Sequence, residues 1–203
     1  MTAMRDAYDA LNYVRNSIGV KSTNNPKDFP GSLGEFGRAS GERQRDLDLY
    51  TARYASLQPK KPKGSKELYV SAIGDVMAAA KAALQLRIGN CEAQAALGYF
   101  YIVEHCQSAV WLTGLRGYDH AFLMVGPPEA ASPLDPSTWG DAIICDPWAN
   151  AVYPAAELTA QMKSLYVRTG GGGGIEAEED QVILSMKANS RDDGDRLTEK
   201  ITG

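Results

Sequence analysis

The stretch Gly89-Asn90-Cys91-Glu92-Ala93-Gln94-Ala95-Ala96-Leu97-Gly98-Tyr99-Phe100-Tyr101-Ile102-Val103 decides how this chain is read. From Cys91 to about Gln107 the residues Ala93, Ala95, Ala96, Leu97, Tyr99, Phe100, Ile102 and Val103 are apolar nearly all round a helical projection. That is the pattern of a helix buried in the middle of a domain. Gly89-Asn90 ahead of it is turn chemistry, so Cys91 opens the helix. The amides of a first helical turn and the positive end of the helix dipole favour a thiolate, and the same amides can donate to an oxyanion. A buried cysteine is equally at home as a small hydrophobe, so the position acquires chemical meaning only with a partner base.

Two histidines compete for that role, His105 and His120. His105 follows Cys91 by fourteen residues, about 21 Å along a helix rising 1.5 Å per residue, and cannot reach the thiol. His120 begins an apolar run within Tyr118 to Gly126, which predicts a strand. A second strand is predicted over Asp141 to Asp146, beyond a loop containing Pro127, Pro128, Pro133 and Pro136. If the two pair antiparallel with Val125 opposite Asp141, His120 stands opposite Asp146. Alternation then puts His120, Phe122 and Met124 on one side of their strand and Ala142, Ile144 and Asp146 on one side of theirs, so imidazole and carboxylate meet. In that register Cys145 points away as a structural thiol, and Trp148 is near enough to shield the pair from water.

Outward from this centre the chain is simpler. Tyr8, Leu11, Val14 and Ile18 form a helical stripe over residues 4 to 18 that stops at Gly19. Lys21 to Glu42 is rich in Ser, Asn, Gly and Pro and reads as loop; a second helix follows with Leu47, Tyr50, Tyr54 and Leu57 on one side. Pro59 to Lys66, with four Lys and two Pro, reads as a solvated linker, and Ser65 caps a third, alanine-rich helix that runs to Leu86. Pro154 to Leu165 reads as helical and Gln181 to Met186 as a short strand. The five glycines Gly170 to Gly174 lack the Lys-Ser/Thr ending of a phosphate loop and read as a flexible connection. The division expected is an N-terminal helical extension and linker over 1–64, a catalytic domain over 65–189 and a disordered tail over 190–203.

Composition narrows the function class. Of 203 residues, 44% are hydrophobic and 23% charged, enough to bury a full core, and no apolar run approaches the roughly 20 residues of a membrane span. The net charge of −4 gives no footprint for nucleic acid, and the N-terminus lacks the apolar region of a secretory signal. Three cysteines, Cys91, Cys106 and Cys145, are too few and odd in number for a disulfide framework and read as thiols. None forms the close pair of a structural zinc site, so no metal is expected.

The motifs Gly89-Asn90-Cys91-Glu92, Asp119-His120-Ala121-Phe122 and Cys145-Asp146-Pro147-Trp148, in that order, resemble those of papain-like and transglutaminase-like cysteine enzymes, especially the compact forms among bacterial effectors and toxins. The resemblance covers roughly Ser65 to Leu165. It implies an α+β fold in which a helix bearing the nucleophilic cysteine packs on an antiparallel sheet that carries His and Asp. Carried over by motif, Cys91 is the nucleophile, His120 the general base and acid and Asp146 the orienting group. Gln85 has the six-residue spacing of the papain oxyanion glutamine and, with Asn90, is the side-chain candidate for that hole. The activity implied is a cofactor-free glutamine deamidase or transglutaminase working through a thioester on proteins of a host or target cell. Such an enzyme would leave the bacterial cytoplasm by a specialised secretion machine. A papain-like protease is the alternative within the class, and an inactive binding module that keeps the fold is the alternative outside it.

Overall fold

The computed structural model describes residues 2–23, 36–57, 68–115, 120–132, 135–162 and 182–188. Helix α1, Thr2–Asn12, buries Ala7 and Ala10 and continues into a π-helical turn, Tyr13–Ile18, that buries Val14. The helical run ends at Gly19, whose φ of +72° is a left-handed conformation that glycine adopts without a Cβ penalty. The chain then forms a short strand β1, Lys21–Ser22, parallel to β2, Ile88–Gly89. Helix α2, Phe36–Leu57, starts earlier than its sequence predicts, passing through Ser40-Gly41. A glycine inside a helix costs only about 1 kcal/mol against alanine, which a helix of 22 residues tolerates. Of its predicted inner face, Tyr50 is buried but Leu47 is exposed.

Helices α3, Leu68–Leu86, and α4, Cys91–His105, are joined by only four residues. The two helices pack on each other, and their small side chains Ala79, Ala80, Ala82 and Ala83 on α3 and Ala93, Ala95 and Ala96 on α4 are all buried. Helix α4 is buried nearly all round, as its composition predicts.

The remainder is an antiparallel five-stranded sheet, so the fold is α+β. Its strands are β3, Val110–Leu115; β4, His120–Val125; β5, Ile143–Asp146; β6, Ala151–Pro154; and β7, Val182–Ala188, in the order β6-β5-β4-β3-β7. The predicted pairing of β4 with β5 is present, but Val125 faces Ile143 and not Asp141, a shift of two residues. Strands β3 and β6 were not expected. Both faces of β3 are buried, which erases the polar alternation that marks a strand. Pro154 ends the edge strand β6, where a missing N–H is tolerated, and the expected helix follows as a 3-10 turn, Ala155–Glu157, and a helical segment 158–162.

Each face of the sheet meets a different cover. Val110, Leu112, Leu123, Val125, Ile143 and Cys145 share one core with Ala7, Ala10 and Val14 of the N-terminal segment and with α4. A methyl group at Gly98 would lie 2.8 Å from Leu123 Cδ1, so this glycine lets α4 close onto β4. Trp111, Phe122, Met124, Ile144 and Tyr153 form a second core with Trp139, Leu158, Met162 and Cys91. The Lys-rich run, the five glycines and residues 190–203 lie outside the described residues, as does the expected domain boundary near residue 64. No helix among the described residues is long and apolar enough to cross a membrane.

Candidate active site

The turn before Cys91 is held from three sides. Arg87 adopts φ +56°, and β1 braces the loop through Lys21 N–H to Arg87 O at 2.9 Å and Thr23 N–H to Gly89 O at 3.1 Å. A Cβ on Gly89 would lie 2.8 Å from the Ala93 methyl and 3.2 Å from the Ala83 methyl, so glycine is what lets the two helices join this tightly. Asn90 is extended (φ −79°, ψ −173°) and serves as the N-cap: its Oδ1 accepts from Ala93 N–H at 3.0 Å. Its carbonyl accepts from Gln94 N–H at 3.1 Å, and Cys91 is the first residue of the helix.

A polar side chain with no part in the sequence argument completes the turn. Gln94, fully buried one turn beyond Cys91, donates from Nε2 to Gly89 O at 3.1 Å. Its Oε1 accepts from Arg15 Nη1 at 3.3 Å, and Arg15 also donates to Val20 O at 3.1 Å. The signal available in sequence was a long amide inside a helix apolar all round. Arg15, some 80 positions earlier and set by the π-helical turn, had none.

His120 begins β4 and is buried, with Nε2 2.7 Å from Asp146 Oδ2. Asp146 ends β5 with no exposed surface, and its Oδ1 accepts from Ala149 N–H at 2.9 Å. That second bond belongs to the turn Pro147–Asn150, where proline presets φ and Asn150 takes φ +56°. The carboxylate is thus fixed by its own backbone before it meets the imidazole. The Trp148 ring stands edge-on to His120 at 5.3 Å between centroids and 68°, closing one side of the pair as anticipated.

Burial disfavours a charged imidazole. The Asp146 carboxylate, through its charge and hydrogen bond, and a side-chain hydrogen bond with Cys91 outweigh it and push His120 up to about 10. With Nε2 held by Asp146, Nδ1 is the ring nitrogen left to face the thiol. Cys91, His120 and Asp146 are therefore joined in one chain of side-chain contacts. Burial with Asp6 and Asp9 pushes Cys106 up to about 11, and burial with Asp146 pushes Cys145 up. Cys145 belongs to the opposite core, pointing away as alternation predicts.

The other site candidates lie elsewhere or serve other ends. Gln85 is exposed near the end of α3, its Oε1 accepting from Arg53 Nε at 2.6 Å, and is not brought to the cysteine. A residue within a helix points where its turn of that helix faces, here outward, whatever its spacing from Cys91. Asn90 is next to Cys91, but its oxygen is used as the cap. His105 sits half-exposed at the far end of α4 beside Glu104 and Tyr101. Among the described residues no group of three His, Cys, Asp or Glu side chains could hold a metal ion. No family model, curated protein or solved structure matches the chain.

Proposed function

We propose that the chain is a cysteine acyl-transfer enzyme of papain-like or transglutaminase-like design, acting on amide groups of target proteins through a thioester at Cys91. The observation that carries the reading is the buried linkage from Cys91 at the first position of α4 through His120 to Asp146. In the reaction the Cys91 sulfur, its proton passed to His120, bonds to the amide carbon and the C=O π pair moves to oxygen. The tetrahedral species collapses as the C–N bond breaks, with the His120 proton passing to the departing nitrogen. Water or an amine then gives its proton to His120, attacks the thioester carbon and releases the thiolate. Water yields a glutamate from glutamine and an amine yields a cross-link.

The motif order Cys, His, Asp and a cysteine-bearing helix packed on an antiparallel sheet support the effector-type glutamine deamidase or transglutaminase. The test is mass spectrometry of a host-cell lysate incubated with wild type and with Cys91→Ala. Deamidated glutamines or cross-links that require Cys91 are the expected result; new chain termini would name a protease instead. No Cys91-dependent change, with no His120-dependent acylation of Cys91 by p-nitrophenyl acetate, overturns the reading.

A further inference from the structure

Gln94 is fully buried among the apolar side chains of α4. An amide there costs free energy that a methionine of similar length does not, unless its polar atoms are bonded. Its backbone N–H donates to Asn90 O at 3.1 Å and its Nε2 to Gly89 O at 3.1 Å, so one residue grips the two consecutive carbonyls that lead into Cys91. A peptide unit is planar and trans, and holding its C=O therefore also sets the direction of its N–H. The bond to Asn90 O aims the Cys91 amide, and the bond to Gly89 O aims the Asn90 amide. The first belongs to any helix; the second needs this side chain. We propose that Gln94 is a positioning residue for the Cys91 nucleophile, kept in its working orientation by Arg15, a role that rests on the reading of Cys91 as the nucleophile.

The orientation of the amide comes from outside α4. A side-chain amide donates at one end and accepts at the other, and a half-turn about its last bond exchanges them. Arg15 Nη1, which can only donate, lies 3.3 Å from Gln94 Oε1, so Nε2 is the end turned to Gly89 O. Arg15 is itself fixed by donating to Val20 O at 3.1 Å, next to the Gly19 turn that ends the N-terminal helical run. Thr23 N–H is the second donor to Gly89 O, at 3.1 Å, and holds the loop to the N-terminal segment when the side chain at 94 is changed. With that bond alone the Gly89–Asn90 peptide can pivot, and Asn90, whose Oδ1 caps Ala93 N–H, moves with it.

The experiment measures acylation of Cys91 by p-nitrophenyl acetate beside the thermal midpoint, in the full chain. Gln94→Met removes the amide, Arg15→Met releases its Oε1 end, and Arg15→Lys keeps a donating cation at that end. Ser108→Ala is the control, because it removes the 2.6 Å bond from Ser108 Oγ to Asp6 that ties the same N-terminal segment to the loop after α4. The expected result is acylation slowed about fivefold in Gln94→Met and Arg15→Met, the worth of one neutral hydrogen bond. Arg15→Lys recovers most of that loss, and Ser108→Ala lowers the thermal midpoint but acylates like wild type. Wild-type acylation in Gln94→Met overturns the proposal, as does a loss that Arg15→Lys shares in full or that Ser108→Ala matches. Should Gln94→Met not fold, Arg15→Met against Arg15→Lys decides by the same criteria. Absence of His120-dependent acylation in the wild type would instead remove Cys91 as the nucleophile and the proposal with it. That outcome is distinct from a reactive wild type whose Gln94 and Arg15 variants match it.

Discussion

His120 Nε2 lies 2.7 Å from Asp146 Oδ2 although the two residues are not cross-strand partners. The ladder that pairs Leu123 with Cys145 and Val125 with Ile143 sets Asp146 on the level of Phe122, so His120 reaches it along a diagonal. Diagonal neighbours are roughly 7–8 Å apart at the backbone, within reach of a ring and a carboxylate. The offset from the expected register is even, and an even slip keeps every side chain on its face, whereas a slip of one would have put Asp146 into the opposite core.

Cys91→Ala and His120→Ala should abolish acyl transfer, whereas Cys106→Ala and Cys145→Ser should retain it. Cys106 caps the far end of α4 and Cys145 packs on the other face of the sheet. A serine at position 145 would bury a hydroxyl in an apolar site at a cost of about 1–3 kcal/mol. Thermal denaturation beside the p-nitrophenyl acetate assay separates that loss from chemistry. A folded Cys106→Ala protein without acylation would contradict the assignment.

Asp146 spends one oxygen on His120 and the other on Ala149 N–H. Asparagine offers a single acceptor, so Asp146→Asn keeps one of the two bonds and should retain partial activity. Asp146→Ala loses both and leaves a buried imidazole without its carboxylate, a change of the kind that costs about 3–5 kcal/mol. The ranking wild type, Asp146→Asn, Asp146→Ala should hold in kcat and in urea midpoint, with Asp141→Asn, an exposed loop change, like wild type. An Asn variant as inactive as His120→Ala would mean that the carboxylate charge, and not its orientation of the ring, is what counts.

The raised His120 pKa makes a signed claim about stability. Below about pH 6.5 the imidazole is protonated whether the chain is folded or not, and its contribution is complete. Between 6.5 and about 10 only the folded protein holds the proton, so this contribution falls as pH rises, by at most about 1.4 kcal/mol per unit, and is gone above about 10. Urea unfolding of wild type and His120→Gln across pH 6 to 10 isolates it, because the other titrating groups are common to both. A difference between the two that does not shrink with pH would rule out a charged imidazole at neutral pH.

Gly89→Ala tests the turn. The added methyl would press on Ala93 and Ala83, short side chains that cannot rotate aside, so one helix must shift. Overpacking of this kind costs about 1–3 kcal/mol, and because Ala93 is in the first turn of α4 the shift also moves Cys91. Acylation of Cys91 should slow more than global stability explains; Gly19→Ala, which meets open space, should lower stability through its φ of +72° and leave acylation intact.

Helices α1, α3 and α4, the antiparallel pairing of β4 with β5 and the meeting of His120 with Asp146 were legible in the sequence, because each follows from a local period. Apolar residues repeated at helical spacing, Gly19 ended the N-terminal helical run and the turn Gly89-Asn90 set Cys91 at the start of α4, and the two-residue alternation of a strand fixes which side chains share a face whatever the register. Strand β3 and the true start of α2 had no such mark, since a strand buried on both faces shows no alternation and a helix can run through glycine at modest cost. Tertiary structure alone decided the surroundings of the cysteine. Gln85 had the right spacing but points from α3 to Arg53, while Tyr50, Arg15 and Gln94 reach the turn from three different elements. Spacing along a chain determines neighbours only within one helix or one pair of strands; contacts between elements are set by how closely their surfaces pack, here by the small residues Gly89, Ala83 and Ala93 that let the helices meet.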